Sequence, residues 1–223
     1  MRTLQPTQSQ TAYWPMYRTL VGIGVICALV IVTAFEVTLP IIQVNKQQAL
    51  EKAIFQVLPT AKSFTAYSLD ENRQFRNTVV GKATDLYACF DIHESLIGYA
   101  IPAQGVGYQD TIGVLYGYSL QSQSITGLVV LQSRETPGLG SKIESPGFLR
   151  QFSQVEVRIK PGDDELAHPL GLVKNVRNIH AWQIDAITGA TVSSQAVVSI
   201  LNRSLVHWIP LITKHKERMK LEH

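Results

Sequence analysis

The chain has 223 residues, of which 17% are charged, and its formal net charge is +3. This length allows one domain of ordinary size and one additional element, and so low a charged fraction favours a membrane segment over a nucleic-acid-binding surface. No pair among the 2 cysteines and 6 histidines has the spacing of a metal site, so the sequence predicts no metal ligands.

The N-terminal region has the composition of a membrane anchor. Residues 1–19 are polar and lack apolar periodicity, which predicts a loose cytoplasmic tail. The charge-free run Leu20–Phe35 and the apolar residues that follow it predict a transmembrane helix over residues 20–42. Trp14 and the tyrosines near it would form an aromatic belt at one interface, and Glu36 lies near the far end. The lack of acidic residues before Glu36 favours a cytoplasmic N-terminus.

A cleaved signal peptide is the alternative interpretation of this segment, since Val32-Thr33-Ala34 has the small residues of a cleavage site. The apolar pattern continues beyond that site, which favours the anchor. Under either interpretation the remainder of the chain is exported. An amphipathic pattern that ends at Pro59 then predicts a stalk helix over residues 43–59.

Residues 60–210 have the mixed signals of an α+β domain with a largely antiparallel sheet. Apolar and β-branched runs predict five strands, of which the third and fourth form a hairpin: Leu86–Asp91, Leu96–Ile101, Ile112–Leu120, Ile125–Gln132 and Val155–Ile159. A short helix is predicted from Pro146 to Phe152 and a longer one from Thr191 to about Pro210. Residues 211–223 form a basic tail, for which exposure to solvent is favoured over contact with acidic lipid or a partner.

The most informative segment runs from Asp185 to Ser194. Apolar residues at helical spacing follow Thr191, so its hydroxyl is predicted at a helix N-terminus, where free N–H groups and partial positive charge favour a phosphate. Gly189-Ala190 leaves room for a bulky group to approach the backbone. The segment therefore predicts a phosphate-bearing group at Thr191. Alternatively, its acidic and hydroxyl residues are ordinary helix caps and turn formers.

This segment resembles the flavinylation motif of the FMN-binding domain family, Asp-x-x-Ser/Thr-Gly-Ala-Thr, whose positions are filled by Asp185, Thr188, Gly189, Ala190 and Thr191. The resemblance implies that FMN is joined to Thr191 by a phosphoester bond, which a separate flavin transferase makes. It also implies that Thr188 and the amides of Gly189 and Ala190 bind the phosphate. Asp185 then either orients or deprotonates the Thr191 hydroxyl, or caps the last helix.

A second segment, Glu135-Thr136-Pro137-Gly138-Leu139-Gly140, has the form of a tight Pro-Gly turn. It resembles a loop of a narrower group: the G subunit of the Rnf electron-transport complex and the C subunit of sodium-pumping NADH:quinone reductase. The resemblance implies that Lys142 offsets negative charge on the phosphate or on the reduced ring. It places four loop residues in the flavin site: Thr136, Gly138, Leu139 and Gly140.

Together the two motifs imply an electron-carrying subunit of an Rnf-like ion-translocating complex, without a complete activity or a catalytic residue of its own. The implied partners are other membrane subunits, the flavin transferase and the lipid bilayer, with the flavin domain on the periplasmic side of a bacterial inner membrane. The alternatives are a stand-alone exported flavin carrier, a component similar to the C subunit of the quinone reductase, and a tethered binding domain whose motif is not modified. The turn Gly107-Tyr108-Gln109-Asp110 departs from the pattern expected of the family.

Overall fold

The structure, a computed structural model, describes residues 13–70, 74–78, 84–160, 165–174 and 180–219, with the backbone alone for 215–219. Residues 1–12 and 220–223, which belong to the two predicted tails, lie outside the described residues. The chain divides into two compact units, Met1–Lys46 and Gln47–His223.

Helix α1 (Trp14–Val57) forms the described part of the first unit and continues into the second. It covers both the predicted transmembrane helix and the predicted stalk, and it begins within the segment predicted as a loose tail. Its apolar side chains from Leu20 to Val44 are largely exposed, and it is long and apolar enough to cross a membrane. Pro40 lies inside the helix, where it removes one backbone hydrogen bond without ending the helix.

The second unit contains a seven-stranded sheet in which all neighbouring strands are antiparallel, in the order β2-β1-β3-β4-β5-β6-β7. The strands are β1 (Ser63–Leu69), β2 (Phe75–Thr78), β3 (Leu86–Phe90), β4 (Leu96–Val106), β5 (Thr111–Ser119), β6 (Ser124–Gln132) and β7 (Val155–Glu156). The predicted α+β class with a largely antiparallel sheet is confirmed. Strands β1 and β2 were not predicted, and β7 is shorter than predicted because Ile159 makes only an isolated bridge to Leu166.

Both faces of the sheet are covered, which explains the uninterrupted apolar run of β3. Leu86 and Ala88 belong to a core cluster that includes residues of the last helix, α3 (Thr191–Met219). Tyr87 and Cys89 point to the other face and pack in a cluster with the end of α1, around Ile54. Because successive side chains of a strand alternate between faces, a strand covered on both sides needs apolar residues at every position.

Helix α3 continues through Pro210 to Met219, so the prediction that it ends near Pro210 was wrong. Ile209 and Ile212, on either side of the proline, are buried in the core. Their packing offsets the backbone hydrogen bond that proline removes, because tertiary burial contributes more to helix stability than local propensity does. An 18-residue window within Thr191–Lys214 is also apolar enough to cross a membrane, but 39% of that window is buried in the domain.

Short elements between β6 and α3 position the motifs. After β6 come a 3-10 helix (Gly140–Glu144), helix α2 (Pro146–Leu149) and a second 3-10 helix (Arg150–Phe152), so the predicted helix over 146–152 is divided between two helical forms. Strands β8 (Gly171–Val173) and β9 (Gln183–Asp185) then pair in parallel. Strand β9 leads into the motif at the start of α3.

Candidate functional site

The segment between β9 and α3 forms a tight turn that is held from within. Gly189 has a φ of +82°, and Thr191 is the first residue of α3. The Ala190 N–H donates to the Ile187 carbonyl at 2.9 Å. The Ser194 hydroxyl donates to the Ala190 carbonyl at 2.9 Å and accepts the Ile187 N–H at 3.3 Å. Thr191 is therefore presented, exposed, at the start of a fixed turn.

The N-terminus of α3 has hydrogen-bond donors to offer. The backbone N–H groups of Thr191, Val192 and Ser193 have no acceptor among the residues that the structure describes. Such groups carry the partial positive charge of a helix N-terminus. The Ala190 N–H, which was expected to bind a phosphate, instead donates to Ile187. Of the two amides that the motif indicated, the Ala190 N–H is therefore used inside the turn.

Asp185 lies at the other end of this turn, as the last residue of β9. Its backbone N–H donates to Gln151 Oε1 at 2.7 Å, and its carbonyl accepts from Gln151 Nε2 at 3.2 Å. Gln151 belongs to the second 3-10 helix, so this pair of bonds fixes the point at which the turn leaves the strand.

The loop after β6 is folded back on itself. The N–H groups of Leu139 and Ser141 donate to the Thr136 carbonyl at 3.1 and 3.2 Å, and the Gly138 N–H donates to Ser141 Oγ at 3.0 Å. Gly138 has a φ of +76°, which an L side chain rarely adopts. Leu139 remains 52% exposed, so the loop holds an apolar side chain toward solvent.

Glu135 connects the two motifs, although it was not predicted as a site residue. Its side chain is only 5% exposed. Ser193 Oγ donates to Glu135 Oε2 at 2.5 Å, and the backbone N–H groups of Tyr108 and Gln109 donate to Oε1 at 2.9 and 3.0 Å. Burial by itself would raise the pKa of Glu135, but the hydrogen bonds from Ser193 and from the turn outweigh it and hold the pKa below its usual range.

A cavity of about 350 Å³ lies where these segments meet. It is lined by Tyr108, Thr136, Leu139, Gly140, Gly189, Ala190, Thr191, Val192 and Ser193. Six of the ten predicted site residues are thus brought together. Lys142 lies close by, because a Cβ built on Gly189 would be 4.0 Å from its Nζ. Asp185, Thr188 and Gly138 do not line the cavity.

Tyr108, Glu135, Val192 and Ser193 belong to the site but were not predicted. Tyr108 is 70% exposed and lies in the turn that departs from the family pattern; Thr136 Oγ1 donates to Gln109 Oε1 in that turn at 2.9 Å. A charged residue in a loop ordinarily indicates exposure to solvent, so Glu135 gave no local signal of its burial. Val192 and Ser193 follow directly from the position of Thr191 at the helix start.

The residues around this cavity fit a flavin mononucleotide. The free N–H groups of α3, the open Gly189 turn and the Lys142 ammonium suit a phosphate at one end. The exposed apolar side chains of Tyr108 and Leu139 suit a flat ring at the other end. The volume falls in the range of about 300 to 1,000 Å³ that is usual for ligand pockets.

A second cavity, of about 400 Å³, is lined by residues of the sheet and by Trp208 of α3. None of the residues from the two motifs lines it. Although this cavity is slightly larger than the one at Thr191, the candidate site is the cavity on which the two motifs converge.

Comparison with known proteins identifies the family of the chain. A model of the FMN-binding domain matches residues 107–206, which include both motifs. The chain is 31% identical over 187 residues to the G subunit of the ion-translocating oxidoreductase complex of Methanosarcina acetivorans, covering 84% of this chain and 89% of that protein. This chain belongs to the G-subunit family. A further member, the G subunit of the Na(+)-translocating ferredoxin:NAD(+) oxidoreductase complex of Acetobacterium woodii, is 30% identical over 73% of this chain and 71% of its own length.

The fold has solved relatives in a neighbouring group. The crystal structure of NqrC from Shewanella oneidensis superimposes with a TM-score of 0.53 at 19% identity, covering 73% of this chain and 75% of that one. The C subunit of the Na(+)-translocating NADH-quinone reductase from Parabacteroides distasonis gives the same TM-score at 21% identity, covering 69% and 78%. At these identities the likeness establishes that this member of the G-subunit family shares their fold.

Proposed function

We propose that this chain is the flavin-carrying subunit of an ion-translocating electron-transport complex, anchored in a membrane by α1. FMN is attached through its phosphate to the Thr191 hydroxyl and relays electrons between other subunits. The observation that carries the proposal is the convergence of both motifs on one cavity, with Thr191 at its edge on a helix N-terminus. The names of the two G-subunit relatives support the assignment to such a complex.

Attachment needs help from outside the chain, because a threonine hydroxyl is a weak nucleophile. We assign the activation to a flavin transferase that uses FAD: Thr191 Oγ loses its proton, forms the bond to phosphorus, and AMP leaves. The chain contributes position. Its Gly189 turn admits the transferase and the phosphate, and the N–H groups of Thr191, Val192 and Ser193 with the Lys142 ammonium stabilise the phosphate charge.

Bound FMN supplies reversible uptake of one or two electrons, and the protein supplies orientation and access. Tyr108 and Leu139 both line the cavity with exposed side chains, and they would supply apolar surface to a bound ring. A covalent anchor suits this role, since a carrier must keep its cofactor between electron arrivals.

The anchor and its orientation complete the proposal. α1 crosses the bacterial inner membrane once, with the N-terminus in the cytoplasm and the flavin domain on the periplasmic side. Resistance of the full chain to alkaline carbonate extraction, together with digestion of the domain by protease added to the periplasmic side, is the expected result. Protease digestion from the cytoplasmic side alone would contradict the orientation.

The attachment is tested by intact mass and peptide mapping of the full chain after co-expression with a flavin transferase. The expected result is one FMN-sized adduct on the peptide that contains Thr191, lost in Thr191→Ala and retained in the control variant Ser199→Ala, which removes a hydroxyl from α3 outside the motif. An unmodified Thr191 beside an active transferase would contradict covalent attachment and favour a tethered binding domain. A modified chain that never joins a complex would favour the stand-alone carrier.

A further inference from the structure

We propose that Glu135 is a buried anionic positioning residue of the flavin site. Its carboxylate holds three walls of the cavity together, and its charge lowers the reduction potential of the flavin bound there. The claim about the cavity walls depends on this chain alone, whereas the claim about the reduction potential rests on the proposed function.

The carboxylate joins segments that are far apart in the sequence. Tyr108 and Gln109 belong to the turn after β4, Glu135 to the loop after β6, and Ser193 to the first turn of α3. Hydrogen bonds of 2.5 to 3.0 Å connect all three through one side chain. Each of these segments lines the cavity, so the same bonds that stabilise Glu135 set the spacing of the cavity walls.

An ionised carboxylate suits this set of partners. Two backbone N–H groups donate to Oε1 and the Ser193 hydroxyl donates to Oε2, so both oxygens accept. A glutamine could keep an oxygen toward the two backbone amides and an NH₂ group toward Ser193 Oγ, so it removes the charge and keeps most of the shape. The side chain also has little room to move, because a Cβ on Gly140 would lie 2.5 Å from Glu135 Oε2, and one on Gly107 would collide with Oε1.

The charge lies in the wall of the cavity. Gly140 lines the cavity together with Thr136 and Leu139, and a Cβ built on it would lie 2.5 Å from Glu135 Oε2. The same oxygen accepts from Ser193 in the first turn of α3, so the carboxylate lies beside the helix N-terminus. Two-electron reduction of FMN with uptake of one proton would add one negative charge to the ring. A fixed anion in the cavity wall disfavours that added charge and therefore lowers the potential.

Three other charged groups lie near the Glu135 carboxylate or near the cavity, and they bear on any pH effect. Asp110 and Arg134 form an ion pair at 3.5 Å on the outer side of the turn, with the arginine side chain 74% exposed. Lys142 reaches toward Gly189. The first turn of α3 carries no acidic residue. Glu135 is thus the buried member of this group, and its charge is the least screened by solvent.

The first part of the proposal, that the Glu135 carboxylate holds the cavity walls together (the Glu135 clamp), is tested without flavin. Hydrogen exchange of the full chain is read by mass spectrometry on the peptide that contains Tyr108 and Gln109. Glu135→Ala removes both acceptor oxygens and is expected to speed exchange of these amides at least tenfold. The matched control is Glu144→Ala, which removes the same side chain from an exposed position at the end of the 3-10 helix that begins at Gly140. Equal exchange in the Glu135 and Glu144 variants would overturn the clamp.

The charge effect is tested by potentiometric titration of the flavin-loaded chain. Glu135→Gln is expected to raise the midpoint potential by about 30 mV at pH 7, a tenfold change for a two-electron couple, while Glu144→Gln leaves it unchanged. The difference from wild type should disappear as the pH falls and Glu135 becomes protonated; a structural effect alone would persist. An unchanged or lowered midpoint would overturn the claim about the reduction potential. A chain that takes up no flavin would refute the proposed function and leave the exchange test intact.

Discussion

Gly140 offers a sharp test of the packing around Glu135. Alanine at this position would place a Cβ 2.5 Å from Glu135 Oε2, 2.8 Å from Ser193 Oγ and 2.9 Å from Glu135 Cβ. All three distances are shorter than a Cβ normally keeps from a non-bonded oxygen or carbon atom. Because Glu135 is itself held by three hydrogen bonds, it cannot simply rotate away. The Gly140→Ala variant must either shift the loop or separate Ser193 from Glu135.

The expected cost follows from these two routes. Overpacking of a tight site costs about 1–3 kcal/mol, and loss of a hydrogen bond to a charged group costs about 1.5–3 kcal/mol. We therefore expect Gly140→Ala to lower the free energy of unfolding by about 2 kcal/mol. For a domain of this size each kcal/mol changes the melting temperature by about 2–4 °C, so the expected decrease is about 4–8 °C.

The assay is thermal unfolding of the full chain in detergent, followed by near-ultraviolet circular dichroism. Gly147→Ala is the matched control, because Gly147 lies in helix α2 and a Cβ there would meet nothing within 4 Å. We expect the control to leave the melting temperature unchanged or to raise it, since alanine restricts the unfolded chain. Equal melting temperatures for the two variants would refute the reasoning that Gly140 is required by contact with Glu135.

Three further predictions concern pH, a second hydrogen-bonded side chain and the phosphate end of the cavity. Because the pKa of Glu135 is lowered by folding, its contribution to stability is complete above the unfolded carboxyl pKa of about 4.3 and is lost as the pH falls through the folded pKa. Urea unfolding of wild type and Glu135→Gln should therefore converge in acid, and a constant difference would contradict this. Asn202 bonds the Leu170 backbone N–H at 2.7 Å and carbonyl at 2.9 Å, so Asn202→Leu should cost about 1–3 kcal/mol and speed hydrogen exchange around β8; unchanged exchange there would show that these bonds are dispensable. Lys142→Met should weaken binding of free FMN to the flavin-free chain several-fold by flavin fluorescence, unlike the exposed control Lys62→Met, and equal affinities would remove Lys142 from the site.

Several features of this protein follow from short stretches of sequence. The apolar run that begins at Leu20 specifies a membrane-type helix, because backbone and side chains in that run can be satisfied without water. Thr191 begins α3 as predicted, since the Thr-Gly turn and the apolar periodicity both act within a few residues. The strand pattern likewise predicted the antiparallel sheet, and the order of the two motifs indicated the family to which the chain belongs.

Residue type alone led to a wrong helix end and to a hydrogen-bond donor that is already used. Pro210 indicates a helix end by its own chemistry, yet α3 continues because Ile209 and Ile212 are buried against the sheet. The Ala190 amide belongs to the predicted phosphate motif but is already bonded to Ile187 inside the turn. In each case an interaction with the rest of the domain, or within the folded turn, outweighs what the residue type favours.

The tertiary structure alone decided how the two motifs become one site. Glu135 stands 27 residues from Tyr108 and 58 residues from Ser193, and no periodicity or turn preference relates positions so far apart. Their contact depends on the packing of α3 across the sheet, which brings a loop, a hairpin turn and a helix start to the same place. Sequence patterns specify elements because they act over one or two turns of chain, whereas a buried carboxylate is satisfied only after those elements have packed.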